Sequence, residues 1–385
     1  MTAPSLPERH GAAVPLWRDV RVLRLAGQAA VVLAIALLLF FLGSNLVSTM
    51  AERNLRFGFG FLDNRAGFEI GESPFPYSAD DTYAQAYLVG VLNTLFVGVV
   101  GIILATLLGI VVGVARLSTN WLVSQVAGVY VEIIRNTPLL VQLFFIYFVV
   151  LLQLPQVRDT IALPGSVFLN QRGLFIPAPQ LASSFPAWVA VAVAAIVLAI
   201  ALRARGPAAI GSRALWAVPV VVVAAWILLR PVAFDPPVQG RFNFSGGMAL
   251  STSFMAILLG LVLYTAAFIG EVVRGGIQAV RRGQLEAARA LGLSEGDTLR
   301  LIVFPQALRI IVPPLTSQYL NLVKNSSLAI AVGYPDLFKI GTTMTNQTGQ
   351  PVPVVVLVMA TYLAISLLTS LLMNLYNRRV QVLER

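Results

Sequence analysis

From Leu88 to Ala115 the chain carries no charged residue. A backbone in hydrocarbon must satisfy its own hydrogen bonds, and about 20 apolar residues of helix cross the layer, so this run constrains the fold to a membrane-spanning α-helix. Seven further segments are comparably apolar, near 25–46, 138–152, 187–202, 214–229, 248–270, 311–333 and 352–376. The expectation is an all-α polytopic membrane protein with about eight transmembrane helices. Composition agrees: 57% of residues are hydrophobic and 11% charged, where soluble domains carry roughly 25% charged.

Two spans are irregular. The third is short by itself and is expected to extend upstream through Val126–Ile134 as a broken or tilted helix, because Pro138 interrupts the register. Thr137 and Pro138 read as an N-cap and a first helical residue. The seventh is the least apolar, carrying Asn321, Lys324, Asn325, Ser326 and Ser327.

The net charge of +10 does not point to nucleic acid, since no basic helix interleaved with exposed aromatics is present. Instead the cations are asymmetric. With the N-terminus inside, 18 Lys and Arg fall on the cytoplasmic side and eight outside, with Lys324 in a span; this distribution predicts that both termini are cytoplasmic. The run from Ala26 to Leu42 exceeds a typical signal-peptide core and lacks a clear cleavage site, so it reads as a retained anchor. Cysteine is absent, which rules out disulfides and thiolate metal sites. The single histidine, His10, lies in a polar leader and reads as without a chemical role. Val47–Ala86 and Gln153–Pro186 read as long outer loops, either a polar cap over helix ends or a docking surface for an external partner.

Residues 283–314, GQLEAARALGLSEGDTLRLIVFPQALRIIVPP, form the most informative stretch. Gln284–Leu291 is rich in helix formers, and Leu285, Ala288 and Leu291 share a face. Gly292 fits a helix C-terminal stop. Ser294 with Asp297 opens a second helix in capping-box fashion, whose apolar positions Leu299, Ile302 and Val303 precede Pro305. The reading is a small amphipathic helix-turn-helix on the cytoplasmic face.

Glu286-Ala287-Ala288, then Gly292, Ile302 and Phe304-Pro305 at fixed spacing, resembles the EAA loop of ATP-binding-cassette importer permeases. The departure is Phe304 where leucine is usual. Arg135-Asn136-Thr137-Pro138-Leu139-Leu140-Val141-Gln142-Leu143-Phe144 looks like a segment of polar amino-acid permeases. Glu271-Val272-Val273-Arg274-Gly275-Gly276-Ile277 and Lys324-Asn325-Ser326-Ser327-Leu328 resemble two more. The similarity covers about 86–376, and the enlarged layout is most similar to permeases of the general L-amino-acid and glutamate/glutamine/aspartate/asparagine importers of Gram-negative bacteria.

The resemblance implies a type I importer permease-like core in the bacterial inner membrane. It also implies pairing with a second homologous permease, expected to form a heterodimer, two ATPase subunits beneath, and a periplasmic amino-acid-binding protein above. Glu286, Ala287, Ala288 and Gly292 would form the ATPase-coupling element, with Ala288 small enough for close docking. Three regions follow: 1–87 with the leader, first helix and periplasmic loop; 88–376 as the transmembrane domain, with an added helix pair at 187–229; and a cytoplasmic tail at 377–385.

Lys324, Asn325, Ser326 and Ser327 are candidates for the substrate pathway, because a cation at membrane depth is costly and commonly faces a cavity or a partner. The alternative is helix packing through the small polar groups, with Lys324 snorkelling or pairing with an acid. Glu271 and Arg274 read as a structural ion pair. Asn93 and Thr94 read as packing residues, with cavity lining as the second possibility. No lysine lies in a Gly-Lys-Ser/Thr phosphate-binding loop, and no catalytic triad, metal cluster or cofactor signature is present. The chain is expected to be a non-catalytic subunit. The rival is an ion-driven secondary transporter, which would show internal repeats and ionisable groups deep in the spans.

Overall fold

The structure, a computed structural model, describes residues 20–52, 58–205, 208–240 and 243–380. The leader with His10 and the last five residues of the tail lie outside the described residues. Helix α1 (Val20–Glu52) comes first, and the segment 58–82, with a 3₁₀ turn at Gly60–Asp63, is closed by an Arg65–Thr82 bridge. Helix α2 (Tyr83–Ala115) starts on a full capping box: Thr82 Oγ1 accepts from Gln85 N at 3.3 Å, and Gln85 Oε1 accepts from Thr82 N at 2.9 Å. Helix α3 (Trp121–Asn136) and helix α4 (Leu139–Phe144, continued as a π-helical turn to Leu151) meet at 109°. The third span is therefore broken where the sequence placed the interruption.

The reason for the break corrects one detail. Thr137 ends α3 instead of capping α4, with its ψ of 132° in the extended range imposed by the following proline. Its hydroxyl donates back to Ile133 O at 2.8 Å, and Pro138 itself takes the cap position of α4. Pro138 has no N–H to give the Ile134 carbonyl, and the buried Gln142 amide replaces it. Gln142 Nε2 donates to Ile134 O at 2.8 Å and to Thr137 O at 2.9 Å. Gln142→Leu keeps most of the volume but leaves two carbonyls without donors, at an expected cost of about 1–3 kcal/mol. Thermal unfolding of the purified protein should move to lower temperature; an unchanged midpoint would refute the staple.

The expected loop Gln153–Pro186, and the segment between α6 and α7, contain short strands that polar composition did not announce. Strands β1 (Ile161–Leu163), β2 (Val167–Asn170) and β3 (Gly173–Ile176) lead to β4 (Ala178–Leu181). After the antiparallel hairpin α5 (Phe185–Arg205) and α6 (Ala208–Leu229) come β5 (Val232–Asp235), β6 (Val238–Gln239), β7 (Phe244–Ser245) and β8 (Met248–Ser251). β1, β2, β3 and β8 form one antiparallel sheet, with Gly173 opposite Ser251; β4–β5 and β6–β7 form two ribbons. Phe244 stacks on Phe175 at 4.3 Å and lies 5.1 Å from Phe168, filling the cap. The α5–α6 hairpin is held internally by Trp188, which packs edge-on against Trp226 and donates to Val222 O at 3.2 Å.

Helix α7 (Thr252–Gln278) begins at the end of β8, four residues later than the apolar run suggests, because Ser251 supplies the cap: its Oγ accepts from Phe254 N at 3.0 Å. Then come α8 (Arg282–Ala290), α9 (Glu295–Thr298), α10 (Phe304–Asn325), α11 (Leu337–Thr348) and α12 (Pro351–Val380). A π-helical turn, Leu299–Val303, joins α9 to α10 without a stop. The second helix of the expected helix-turn-helix thus does not end at Pro305 but is the start of the seventh span. Pro305 follows directly on that π-helical turn, whose wider register accommodates its missing N–H inside the continuous helix. The same span loosens into a 3₁₀ stretch at Ser326–Val332, turns at Gly333, and resumes as α11.

Among the described residues six helices are long and apolar enough to cross a bilayer: α1, α2, α5, α7, the run Glu295–Val332, and α12. The bent α3–α4 pair makes a seventh, and the shorter apolar helix Trp216–Leu229 lies in α6. The protein is a helical multi-pass membrane protein. Its core is the α2–α7 contact, built on small residues that let backbones approach closely: a Cβ on Gly109 would lie 2.5 Å from Ile269, and one on Gly113 would lie 2.7 Å from the Gly270 carbonyl.

Candidate coupling surface and translocation path

The α8–α9 projection follows from local backbone chemistry. Helix α8 ends in a paired turn: Leu293 N donates to Ala288 O at 3.1 Å and Gly292 N to Arg289 O at 3.0 Å. That pattern needs a left-handed residue, and Gly292 supplies it with φ +74°. Ser294 then caps α9, accepting from Asp297 N at 3.1 Å and donating to the Asp297 carboxylate at 2.6 Å.

The two sides of α8 differ. Ala288 is 2% exposed and faces its own chain, and half-buried Leu285 packs against the core cluster that contains Val280, Val303 and Ala307. Leu291, expected on that same face, is 80% exposed, because the turn at Gly292 swings it outward. Glu286, Ala287, Arg289, Ala290 and Gly292 are exposed as well. Leu299, Leu301 and Phe304 are exposed too, so the α8–α10 junction offers side chains of mixed apolar and charged character.

At the adjoining helix ends, Glu271 on α7 pairs with Arg274, as the spacing predicts, and also with Arg116 at the end of α2. Arg135 lies over the Phe268 ring at 5.2 Å. These contacts fasten α2, α3 and α7 beside the projection.

The four candidate pathway residues do not converge. Lys324 is exposed in the last turn of α10, Asn325 and Ser327 are half-buried, and Ser326 is fully buried. Both serine hydroxyls are used locally: Ser326 Oγ donates to Val323 O at 2.7 Å and Ser327 Oγ to Lys324 O at 2.8 Å. Asn321 and Ser317 lie on the exposed side of α10 with Lys324. The signal for them was the helical period itself, which four consecutive residues cannot satisfy.

Asn93 and Thr94 are packing residues. Asn93 Nδ2 donates to the carbonyls of Glu72 and Pro335, each at 2.9 Å, and Thr94 Oγ1 accepts from Leu337 N at 3.0 Å. They clamp the 58–82 segment and the start of α11 onto α2. The Glu72 carboxylate accepts from Ser251 Oγ; burial pushes its pKa up while that hydrogen bond pulls it down. Among the described residues no cluster of three metal-ligating side chains occurs.

A family profile described as "Binding-protein-dependent transport system inner membrane component" matches residues 203–382, from the end of α5 through α12. The "General L-amino acid transport system permease protein AapQ" of Rhizobium johnstonii is 48% identical over 89% of this chain and 88% of its own length. The chain belongs to this family of inner-membrane permeases.

The "Putative amino-acid ABC transporter permease protein YhdX" of Escherichia coli K12 is 45% identical over 93% of the permease chain and 94% of its own. The "Glutamate/glutamine/aspartate/asparagine transport system permease protein BztB" of Rhodobacter capsulatus is 42% identical over 95% and 96%. With so little of either chain left unmatched, α1, the α5–α6 hairpin and the strands around it lie largely within sequence shared with these relatives.

Proposed function

We propose that this chain is the membrane-spanning subunit of an ATP-driven importer that carries L-amino acids from periplasm to cytoplasm. The observation that carries the reading is the exposed α8–α9 surface, which bears Glu286, Ala287 and Gly292 of the motif with Ala288 buried behind them, in a permease similar over nearly its whole length to amino-acid permeases. Glu286, Ala287 and the outward Leu291 meet a groove on the ATPase. Ala288 acts from behind, letting α8 lie close on its own bundle. Gly292 sets the angle between the two coupling helices.

In this reading two ATPases sit under two permeases, this chain and a second, homologous one, and hydrolysis belongs to the ATPases alone. A binding protein delivers the amino acid at the outer cap. Closure of the ATPases moves the coupling helices and switches the cavity between outward- and inward-facing states. Vesicles holding the complete complex should take up labelled amino acids only with ATP on the ATPase side and binding protein on the other. Uptake driven by a proton or sodium gradient without ATP would establish the ion-driven alternative instead.

The orientation puts both termini and the α8–α9 surface in the cytoplasm, supported by the cation asymmetry. Ala290 is exposed, and the chain has no native cysteine. Ala290→Cys should therefore stay unlabelled by an impermeant thiol reagent added to intact spheroplasts and react once the membrane is opened. Labelling from outside would overturn the topology.

A further inference from the structure

On α10 the exposed positions Pro313, Pro314, Ser317, Asn321 and Lys324 recur at helical steps and form one stripe, while Ile311, Val312, Leu322 and Val323 are buried. A lipid-facing stripe is apolar, as on α12, where Val355, Met359, Leu363 and Leu367 are exposed. The α10 stripe instead ends in a hydroxyl, an amide and an ammonium.

Its depth is fixed by packing. Leu322 and Val323 rest on Gly101 and Gly98, half-way along α2. From the middle of a hydrocarbon layer about 30 Å thick the surface is about 15 Å away, whereas a lysine stem reaches roughly 6 Å. Lys324 cannot snorkel out, and among the described residues it makes no ion pair. Nearer the coupling end, Pro313 and Pro314 have no N–H for the carbonyls of Arg309 and Ile310, which frees two acceptors from their usual helical bonds.

Resting on the importer reading, we infer that the Ser317–Asn321–Lys324 face of α10 lines a water-filled path and that Lys324 receives the carboxylate of the passing amino acid. Asn321 and Ser317 lie one and two turns further along and offer the next polar contacts. A fixed ammonium without a counter-charge favours zwitterionic and anionic amino acids over cationic ones.

The test uses the complete transporter, with binding protein and ATPases, in vesicles. Lys324→Gln should reduce uptake of labelled glutamate and alanine many-fold while the subunits still co-purify, and Lys324→Arg should retain a large part of it. Ser317→Cys and Asn321→Cys should react with a hydrophilic methanethiosulfonate, more slowly at saturating substrate; Ala329→Cys, at a position 1% exposed, should not. Unchanged uptake by Lys324→Gln, or no reaction at 317 and 321 with and without ATP, would overturn the inference. So would loss of uptake together with dissociation of the permease pair, which would make Lys324 an interface ion-pair partner. Absence of ATP-driven uptake in the unaltered vesicles would strike the importer reading, and this inference with it.

Discussion

Gly292→Arg is expected to abolish ATP-coupled uptake while the protein still inserts and folds. The φ of +74° lies in the left-handed region, where any side chain with a Cβ costs about 1 kcal/mol or somewhat more. That is small against the stability of a multi-helix bundle, and no atom lies within 4 Å of the position a Cβ would take. The turn can therefore survive. What cannot survive is the proposed docking surface, since a long cation would stand between exposed Leu291 and the capped start of α9. The measurement is co-purification of the ATPase together with substrate-stimulated hydrolysis. A variant that assembled and hydrolysed ATP in step with uptake would remove the coupling role from this turn.

Gly113→Val should fail at an earlier stage, by preventing the bundle from closing. A Cβ there would lie 2.7 Å from both the Gly270 carbonyl oxygen and Val273 Cβ. A side-chain neighbour can rotate away; a backbone carbonyl inside α7 cannot, so α2 and α7 must separate. Overpacking typically costs about 1–3 kcal/mol where the core can adjust, and here the displaced partner is a helix axis. Separation would also stretch the Arg116–Glu271 pair, less than a turn further along α2. Membrane-inserted but protease-sensitive protein at greatly reduced yield is the expected result. Gly128→Val on α3, where nothing lies within 4 Å, is the control. Equal yields for the two variants would show that the α2–α7 approach is not the constraint.

Much of this architecture is legible in the sequence because bilayers permit few solutions. Apolar length located the spans, and Pro138 located a break, since a missing N–H leaves a carbonyl that something must satisfy. That Gln142 supplies the donor was not readable, because it depends on a 109° bend folding the side chain back over α3. The strands β1–β8 were hidden for another reason. Each is two to four residues long, and β8 owes its register to the start of α7, which pins Ser251 opposite Gly173. At the coupling surface, period alone set Leu285, Ala288 and Leu291 together, and it failed where the helix ends. Lys324 was recognisable as a charge at depth, but its neighbours in sequence were not its neighbours on the helix face.

In the proposed importer, the unbroken run from Glu295 through Asn325 makes the proposed coupling surface and the middle of the membrane two ends of one lever. Its natural fulcrum is the place where Gly276 of α7 lets Ile311 come closest. At 1.5 Å per residue the arm on the Lys324 side is about 20 Å, so a tilt of about 10° shifts that ammonium by roughly 3 Å. The other arm is a little longer, so on this proposal the stroke at the ATPase side would be slightly larger than the stroke delivered. A mechanical coupling of this kind needs no relay of side chains, only a rod stiff enough not to bend, and the Pro313–Pro314 pair just beyond the fulcrum is where its stiffness is lowest.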